Sequence, residues 1–301
     1  MKSIKLVYWK VKIVNYGDLL SPYLITKLSG CSIVHKNYAC GNWKSHLYYL
    51  INSIVHLDWG LKVPYLFPFE KHVVAIGSIL SYSNKSSHIW GSGFMSKEEH
   101  FNGGKVHAVR GKLSLVHLVD EEKMQGRKLT NLQNVSLGDP ALLLPIVYNP
   151  SIQKNHKIGI IPHFSEQEYF EKTIGDKYHV ISMMKDDIET VTNEILSCEY
   201  ILSSSLHGII VAHAYGIPAL WIEYSGLEEG TKGFKFNDYF SAVNIEPYQP
   251  LNNLNEVFAD ESTVMQTFNI YEAYSLPNCD IKQVQNNLIN CAPFKILEQY
   301  K

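Results

Sequence analysis

The chain has 301 residues, 46% hydrophobic and 19% charged, with a net charge of −2 and a pI near 6.7. That length accommodates two domains with separate cores, and the charge balance speaks against a nucleic-acid partner, which needs a basic face. No apolar run reaches the ~18 residues of a membrane span, Met1–Lys5 does not open a signal peptide, and Cys31, Cys40, Cys198, Cys279 and Cys291 are scattered without a CxxC pair, so we expect reduced thiols, no zinc and a cytoplasmic location.

In chain order, residues 4–14 alternate apolar and polar and predict a strand. Asn15–Asp18 predicts a loop, Leu19–Leu28 a helix and Gly30 its stop. Leu50–Trp59 is aromatic-rich and fits either type of element. VVAIG (73–77), HIWGSGF (88–94) and VHAVRG (106–111) predict strands, the last leading into a helix. VSLGDPALLLP (135–145) begins as a strand and is ended by Gly-Asp-Pro. YNPSIQKNH reads as a linker. The pattern then restarts with strands at 157–164, 178–184, 199–204 and 217–224, separated by helices at 166–174, 187–198 and 207–216, the last ended by Gly216. Residues 280–300 predict a terminal helix. Such alternation argues for parallel sheets built from βαβ units. We expect an α/β protein with domains at 1–150 and 151–278, and a helix over 279–301 packing back on the first.

Seven strand-end turns carry polar residues: Asn15–Asp18, Gly77-Ser78, Gly91–Gly93, Arg110-Gly111, Gly138-Asp139, Pro162-His163 and Ser203–His207. If the carboxyl edges of the two sheets face each other, these turns line one cleft. SSSLHG (203–208) is the most suggestive. Capping a helix needs one serine, not three and a histidine, and a helix start favours an anion. Only two of the 27 basic residues are arginines, Arg110 and Arg127. A retained arginine points to a planar fork, so Arg110 reads as either an anion ligand or a structural ion pair, and Arg127 as a surface residue.

NYGDLLSP, VRGKLS, LGDPALLLP, IGIIPHF and SSSLHGIIVAHAYGIP, in this order and spacing, resemble the polysaccharide pyruvyl transferase family. The resemblance covers roughly residues 10–225. It implies a GT-B-like fold, with two Rossmann-type domains around a central cleft. It also implies a reaction: pyruvate moves from phosphoenolpyruvate onto two hydroxyls of one sugar, giving a cyclic ketal and phosphate, with no metal or cofactor beyond the co-substrate. His207 looks like the family's essential histidine, acting as acid or base. Arg110 looks like the fork for the carboxylate or phosphate. Members often carry an arginine two residues before this histidine; here the position is Ser205, so Ser204, Ser205 and the N–H groups around Gly208 are expected to take that anion contact, with His163 as a further donor ligand. Asp18 either orients an acceptor hydroxyl or caps the first helix. Asn15 and Glu223 are further acceptor candidates. Asp139 reads as turn chemistry and His213 as a core histidine.

Residues 45–68 read as a packed loop or, alternatively, as a surface touching a membrane or a lipid-linked acceptor, at the inner face of the cytoplasmic membrane. Two competing functions share these features: a GT-B glycosyltransferase using a nucleotide sugar, and a non-enzymatic sugar-binding protein of an envelope pathway. A serine-hydrolase elbow and a P-loop are absent from the sequence.

Overall fold

The computed structural model describes residues 2–10, 14–36, 70–126, 134–224 and 232–301, with Leu47, Ile51, Val55 and Leu132 besides. Arg127, Cys40 and most of the 45–68 segment lie outside the described residues. Two all-parallel sheets organise the rest. The first has six strands, β1 (Ser3–Val7), β2 (Ser32–Lys36), β3 (His72–Val74), β4 (Ser87–Ser92), β5 (Lys105–Val109) and β6 (Ser136–Leu137), in the order β2-β1-β3-β4-β5-β6. The second has four, β7 (His156–Ile161), β8 (His179–Val180), β9 (Cys198–Ser203) and β10 (Ala219–Trp221), in the order β10-β9-β7-β8. The inner strands read as continuous apolar runs because both sheet faces are covered: Val73, Val74, Ile160, Ile161, Ile201 and Leu202 are all buried.

Among the described residues, the eight longer helices are α1 (Tyr16–Ser29), α2 (Lys112–Met124), α3 (Gln167–Ile174), α4 (Ile188–Leu196), α5 (Leu206–Ala214), α6 (Lys232–Ala242), α7 (Glu261–Ile270) and α8 (Ile281–Asn290). Helix α1 buries Tyr16, Leu20, Leu24, Ile25 and Leu28 along one stripe, the helical repeat of a core-facing surface. It starts three residues before the expected Leu19. The Asn15 side chain caps it by accepting from the Gly17 N–H (3.2 Å), and Gly30 closes it in the left-handed region at φ 67°. Three expectations shrink: β1 stops at Val7, β8 keeps two residues, and the terminal helix ends at Asn290. Strand β2 and helices α6 and α7 were not foreseen.

One apolar cluster runs through both sheets. It joins Leu6, Leu20 and Trp90 to Ile161, Val191, Ile209 and Leu288, while a smaller cluster covers the outer face of each sheet. Separate cores were expected. The inner faces merge because α1 packs on α4: Tyr16 bonds Thr192 through its hydroxyl (2.9 Å), its N–H donates to the Met183 carbonyl (2.8 Å), and the Tyr23 hydroxyl donates to Glu189 (2.7 Å). Helix α8 lies against the first sheet, where Trp90 Nε1 donates to the Leu288 carbonyl (2.9 Å) and Gln285 donates to the Leu142 carbonyl (2.7 Å). His213 is a core histidine, bonded to the Tyr239 hydroxyl (3.0 Å) and the Ser275 carbonyl (3.1 Å). No helix among the described residues is long and apolar enough to cross a membrane.

Helix α6 is docked on α2 through the Arg-Gly turn. Arg110, fully buried, donates from Nε to Asp238 Oδ2 (2.9 Å), from Nη1 to Ser78 Oγ (2.6 Å) and from Nη2 to the Phe94 carbonyl (2.6 Å). Asp238 also accepts from the Ser114 N–H (2.7 Å) and hydroxyl (2.6 Å). A Cβ at Gly111 would lie 1.7 Å from the Asp238 carbonyl oxygen, so only glycine lets the helix backbone come this close. Removing one partner of such a pair leaves an uncompensated buried charge and costs about 3–5 kcal/mol. We expect Asp238→Ala to lose that much stability in urea denaturation; a loss below ~1 kcal/mol would show that α6 is held elsewhere.

Candidate functional site

Each sheet has one place where the strand order reverses, between β1 and β3 in the first and between β7 and β9 in the second. Ligands of open α/β sheets bind at the carboxyl ends of the strands flanking such a point. Here both points open on the same pocket, of about 330 Å³. Trp9 follows β1, Gly77 and Ser78 follow β3, His163 and Phe164 follow β7, and Ser205, Leu206 and His207 follow β9. Asn15 and Asp18 come from the start of α1, Met95 and Met183 close the sides, and Lys235 enters from α6. The wall is apolar with a few convergent polar groups, the usual make-up of a small-molecule site.

His207 sits in the first turn of α5, with its side chain 14% exposed. Its ring lies against the backbone of Gly17, where a Cβ would come within 2.3 Å of Nδ1. The other nitrogen, Nε2, points at Asp139 Oδ2 across 3.9 Å. Both atoms are buried and neither has a hydrogen-bond partner. Asp139 is fully buried, and its second oxygen is taken: Oδ1 caps the following turn by accepting from the Ala141 N–H (2.9 Å). Burial pushes the Asp139 carboxyl up to about 7, with the Ala141 N–H and Arg110 opposing. Burial, then the charges of Arg110 and Lys235, push His207 down to about 3. Near neutrality Asp139 is therefore close to its titration midpoint, and His207 is the neutral imidazole. Buried polar groups facing each other without a partner are unusual. A single proton placed between them, or a small shift on ligand binding, would satisfy both.

Asp18 is the second perturbed carboxyl. Burial lifts it to about 7, against the opposing effects of the Asn15 side chain and the Lys235 charge. It stands in the first turn of α1 and faces the pocket; the capping role belongs to Asn15. His163 is in the wall, its Nδ1 bonded to the Ser165 hydroxyl (2.7 Å). Ser205 is the N-cap residue of α5 and makes no side-chain cap; it lines the pocket with Leu206 and His207 of the first turn of α5.

Four expected site residues are not in the pocket wall. Arg110 stands behind it, its fork engaged by Asp238, Ser78 and Phe94, which is the structural ion pair rather than the anion ligand. It reaches the pocket through Ser78 and through its field on His207 and Asp139. Ser204 is buried, donating to the Glu166 carboxylate and accepting from the His163 N–H (2.8 Å), so it positions His163. Gly208 is a packing glycine, since a Cβ would lie 2.5 Å from Ser203 Oγ and 2.8 Å from Ile161. Glu223 follows the edge strand β10, with its N–H on the Leu251 carbonyl (3.0 Å). Conversely, Asp139, Gly17 and Lys235 were not assigned to the site. The sequence signal for the first two was present in the GDP and NYGD turns. Lys235 had none beyond a Lys-aromatic cluster.

The raised Asp139 carboxyl has a measurable sign. Its folded value of about 7 lies above the model-compound value of 3.8, so its contribution to stability is fully present below about pH 4 and is lost as pH rises through 7. Asparagine has no such titration. Asp139→Asn should therefore gain stability relative to the unsubstituted protein between pH 4.5 and pH 8, read as the difference of denaturation midpoints at each pH; a constant difference would mean an ordinary carboxyl.

The sequence pattern of the polysaccharide pyruvyl transferase family matches residues 15–226. That span holds every pocket-lining residue named above except Trp9 and Lys235. The chain is also 30% identical over 247 residues to an uncharacterized protein of Acanthamoeba polyphaga mimivirus, an alignment covering 80% of this chain and 75% of that one. The match favours pyruvyl transfer over the nucleotide-sugar alternative, and on its extent the chain belongs to the polysaccharide pyruvyl transferase family.

Proposed function

We propose that the protein transfers pyruvate from phosphoenolpyruvate onto two hydroxyls of one sugar of a polysaccharide, or of its lipid-linked precursor, forming a cyclic ketal and releasing phosphate. The observation that carries this reading is the enclosed His207–Asp139 pair, with its unpartnered facing atoms, at the floor of a pocket where both sheets reverse order. That convergence also supports a GT-B-like arrangement.

The chemistry begins with a proton on the methylene carbon of phosphoenolpyruvate. Asp139 is near its midpoint at neutral pH and faces Nε2; from its protonated form the imidazole can take a proton there while giving up its Nδ1 proton to the substrate carbon. The ring passes the proton on without becoming a cation, which suits a site that disfavours His207 in its charged form. The donor's second carbon then carries oxocarbenium character. A sugar hydroxyl adds to it, and its proton passes to Asp18, whose value near 7 suits a base at neutral pH. The second hydroxyl attacks the same carbon, the carbon–oxygen bond to phosphate breaks, and the ring closes. Of the two hydroxyl protons, one replaces the proton given to the methyl group and the other leaves with phosphate.

Leu47, Ile51 and Val55, spaced four apart and helical, are exposed at 43%, 52% and 67%. Three exposed apolar side chains in this segment support a contact with a lipid-linked acceptor or the membrane surface that holds it.

The test is phosphate release from phosphoenolpyruvate, with and without galactose- or glucose-terminated acceptors, free and lipid-linked. We expect acceptor-dependent release that falls about 10²–10⁴-fold in His207→Ala. Gly17→Ala should fall comparably, because its methyl displaces the ring while the helix keeps a good former. Undiminished turnover in His207→Ala would remove the acid role.

A further inference from the structure

We infer that Lys235 is the residue that holds the negatively charged donor in the pocket, by pairing with its carboxylate or its phosphate, and that the Arg110–Asp238 pair exists to set Lys235 there. This rests on the pyruvyl-transfer reading and extends it to a residue outside the matched span, which ends at 226.

The argument starts from charge. Phosphoenolpyruvate brings a carboxylate and a phosphate into a largely apolar pocket, and a desolvated anion needs a counter-charge. Among the described residues lining the pocket, Lys235 is the sole Lys or Arg. Arg110 is engaged behind the wall and neutralised by Asp238. His207 is held as the neutral imidazole, so it does not supply the charge. Lys235 is placed to do so: it lines the same pocket as Asp18, the proposed base, and His207, the proposed acid, and its charge bears on both.

Position follows from the helix. Residues three apart share a helix face, and Asp238 is three residues beyond Lys235. Asp238 is fixed by Arg110 and Ser114, and one turn further the Ser241 hydroxyl accepts from the Lys112 N–H (2.8 Å). The Gly111 contact fixes the depth of docking. The start of α6 is thereby directed at the pocket. Across the pocket, Ser205 and the first turn of α5 offer a hydroxyl and N–H groups. A donor with two anionic ends can lie between them, one end on Lys235 and the other at the α5 start.

Lys235→Ala, Lys235→Gln and Lys235→Arg are compared with the unsubstituted protein by calorimetric titration with phosphoenolpyruvate, inorganic phosphate and pyruvate, beside thermal melts and steady-state kinetics. We expect the two neutral variants to bind phosphoenolpyruvate at least ~10-fold more weakly, since a charge-assisted contact is worth about 1.5–3 kcal/mol. The KM for phosphoenolpyruvate should rise while that for the acceptor does not, and arginine should restore most of the binding. The phosphate and pyruvate titrations identify which end sits on Lys235. If the unsubstituted protein binds phosphoenolpyruvate and both neutral variants bind it equally well, the inference is overturned and the donor reading stands. Lys235-dependent binding of phosphate without any binding of phosphoenolpyruvate keeps the anion site and removes the pyruvyl reading. Binding of none of the three ligands removes both. Failure of both neutral variants to fold would make Lys235 structural and overturn the inference.

Discussion

The contact between His207 and Gly17 is the constraint on which the site depends. It joins the first turn of α5, which follows β9, to the first turn of α1, which follows β1, and these are the two strands whose order reversals open on the pocket. A side chain at residue 17 would hold the two turns apart. With none, the imidazole slides over the α1 backbone until Nε2 faces Asp139. Tyr16, one residue earlier, locks the same turn to the second sheet through Thr192 and Met183. The NYGD stretch therefore performs three tasks in four residues: Asn15 caps, Tyr16 ties the sheets together, Gly17 admits the histidine, and Asp18 is left to face the pocket.

That closeness sets the electrostatics. Burial raises both carboxyls to about 7 and lowers the histidine to about 3. Burial thus disfavours the charged form of each of these three groups, whose charge in a poorly solvated space would be costly, and leaves the two carboxyls near their midpoint at neutral pH. Such groups can both donate and accept at neutral pH, the condition for acid–base catalysis. Two carboxyls with similar values but different neighbours also divide the labour: Asp139 can act only through His207, because its other oxygen is a cap, whereas Asp18 reaches the pocket directly.

The fold was legible where the sequence carried a strong period or a long apolar run. The inner strands and helices α4 and α5 fall at their expected places because a buried parallel strand between two helices has few alternative readings. Strand β2 was missed because SIVHK is short and follows a helix stop without a turn signature of its own. Helix α6 was missed although Phe236, Tyr239 and Phe240 recur at helical spacing and are buried; its docking comes from Asp238, and a long-range ion pair leaves no local trace. For the site, turn residues beside strand ends pointed correctly to His207, Asp18, His163 and Ser205 as pocket residues. The same rule misplaced Ser204 and Gly208, because Ser204 turns back to Glu166 and His163 and Gly208 packs on Ser203 and Ile161, long-range contacts that the local pattern does not show. Asp139 was read as turn chemistry, and it is: one oxygen caps Ala141. A carboxylate has two oxygens, and a sequence motif explains only the one that makes the turn.

The scarcity of arginine proves informative in a different way from that expected. A planar fork was needed at residue 110, but for the protein's own carboxylate rather than a ligand's. Lysine would serve poorly there. Lys36, largely buried, is pushed down to about 8 by burial and by Lys5; a lysine with no exposure at all would be still easier to discharge, and would lose its hold on Asp238. Arginine keeps its charge under burial and addresses three acceptors at once. In the pocket wall the requirement is reversed. A group that must meet an incoming anion and release a product anion benefits from a flexible stem and a single compact charge. Around this site each cation matches its degree of burial, Arg110 behind the wall and Lys235 in it, and the Arg110–Asp238 pair connects the two by fixing the helix from which Lys235 extends.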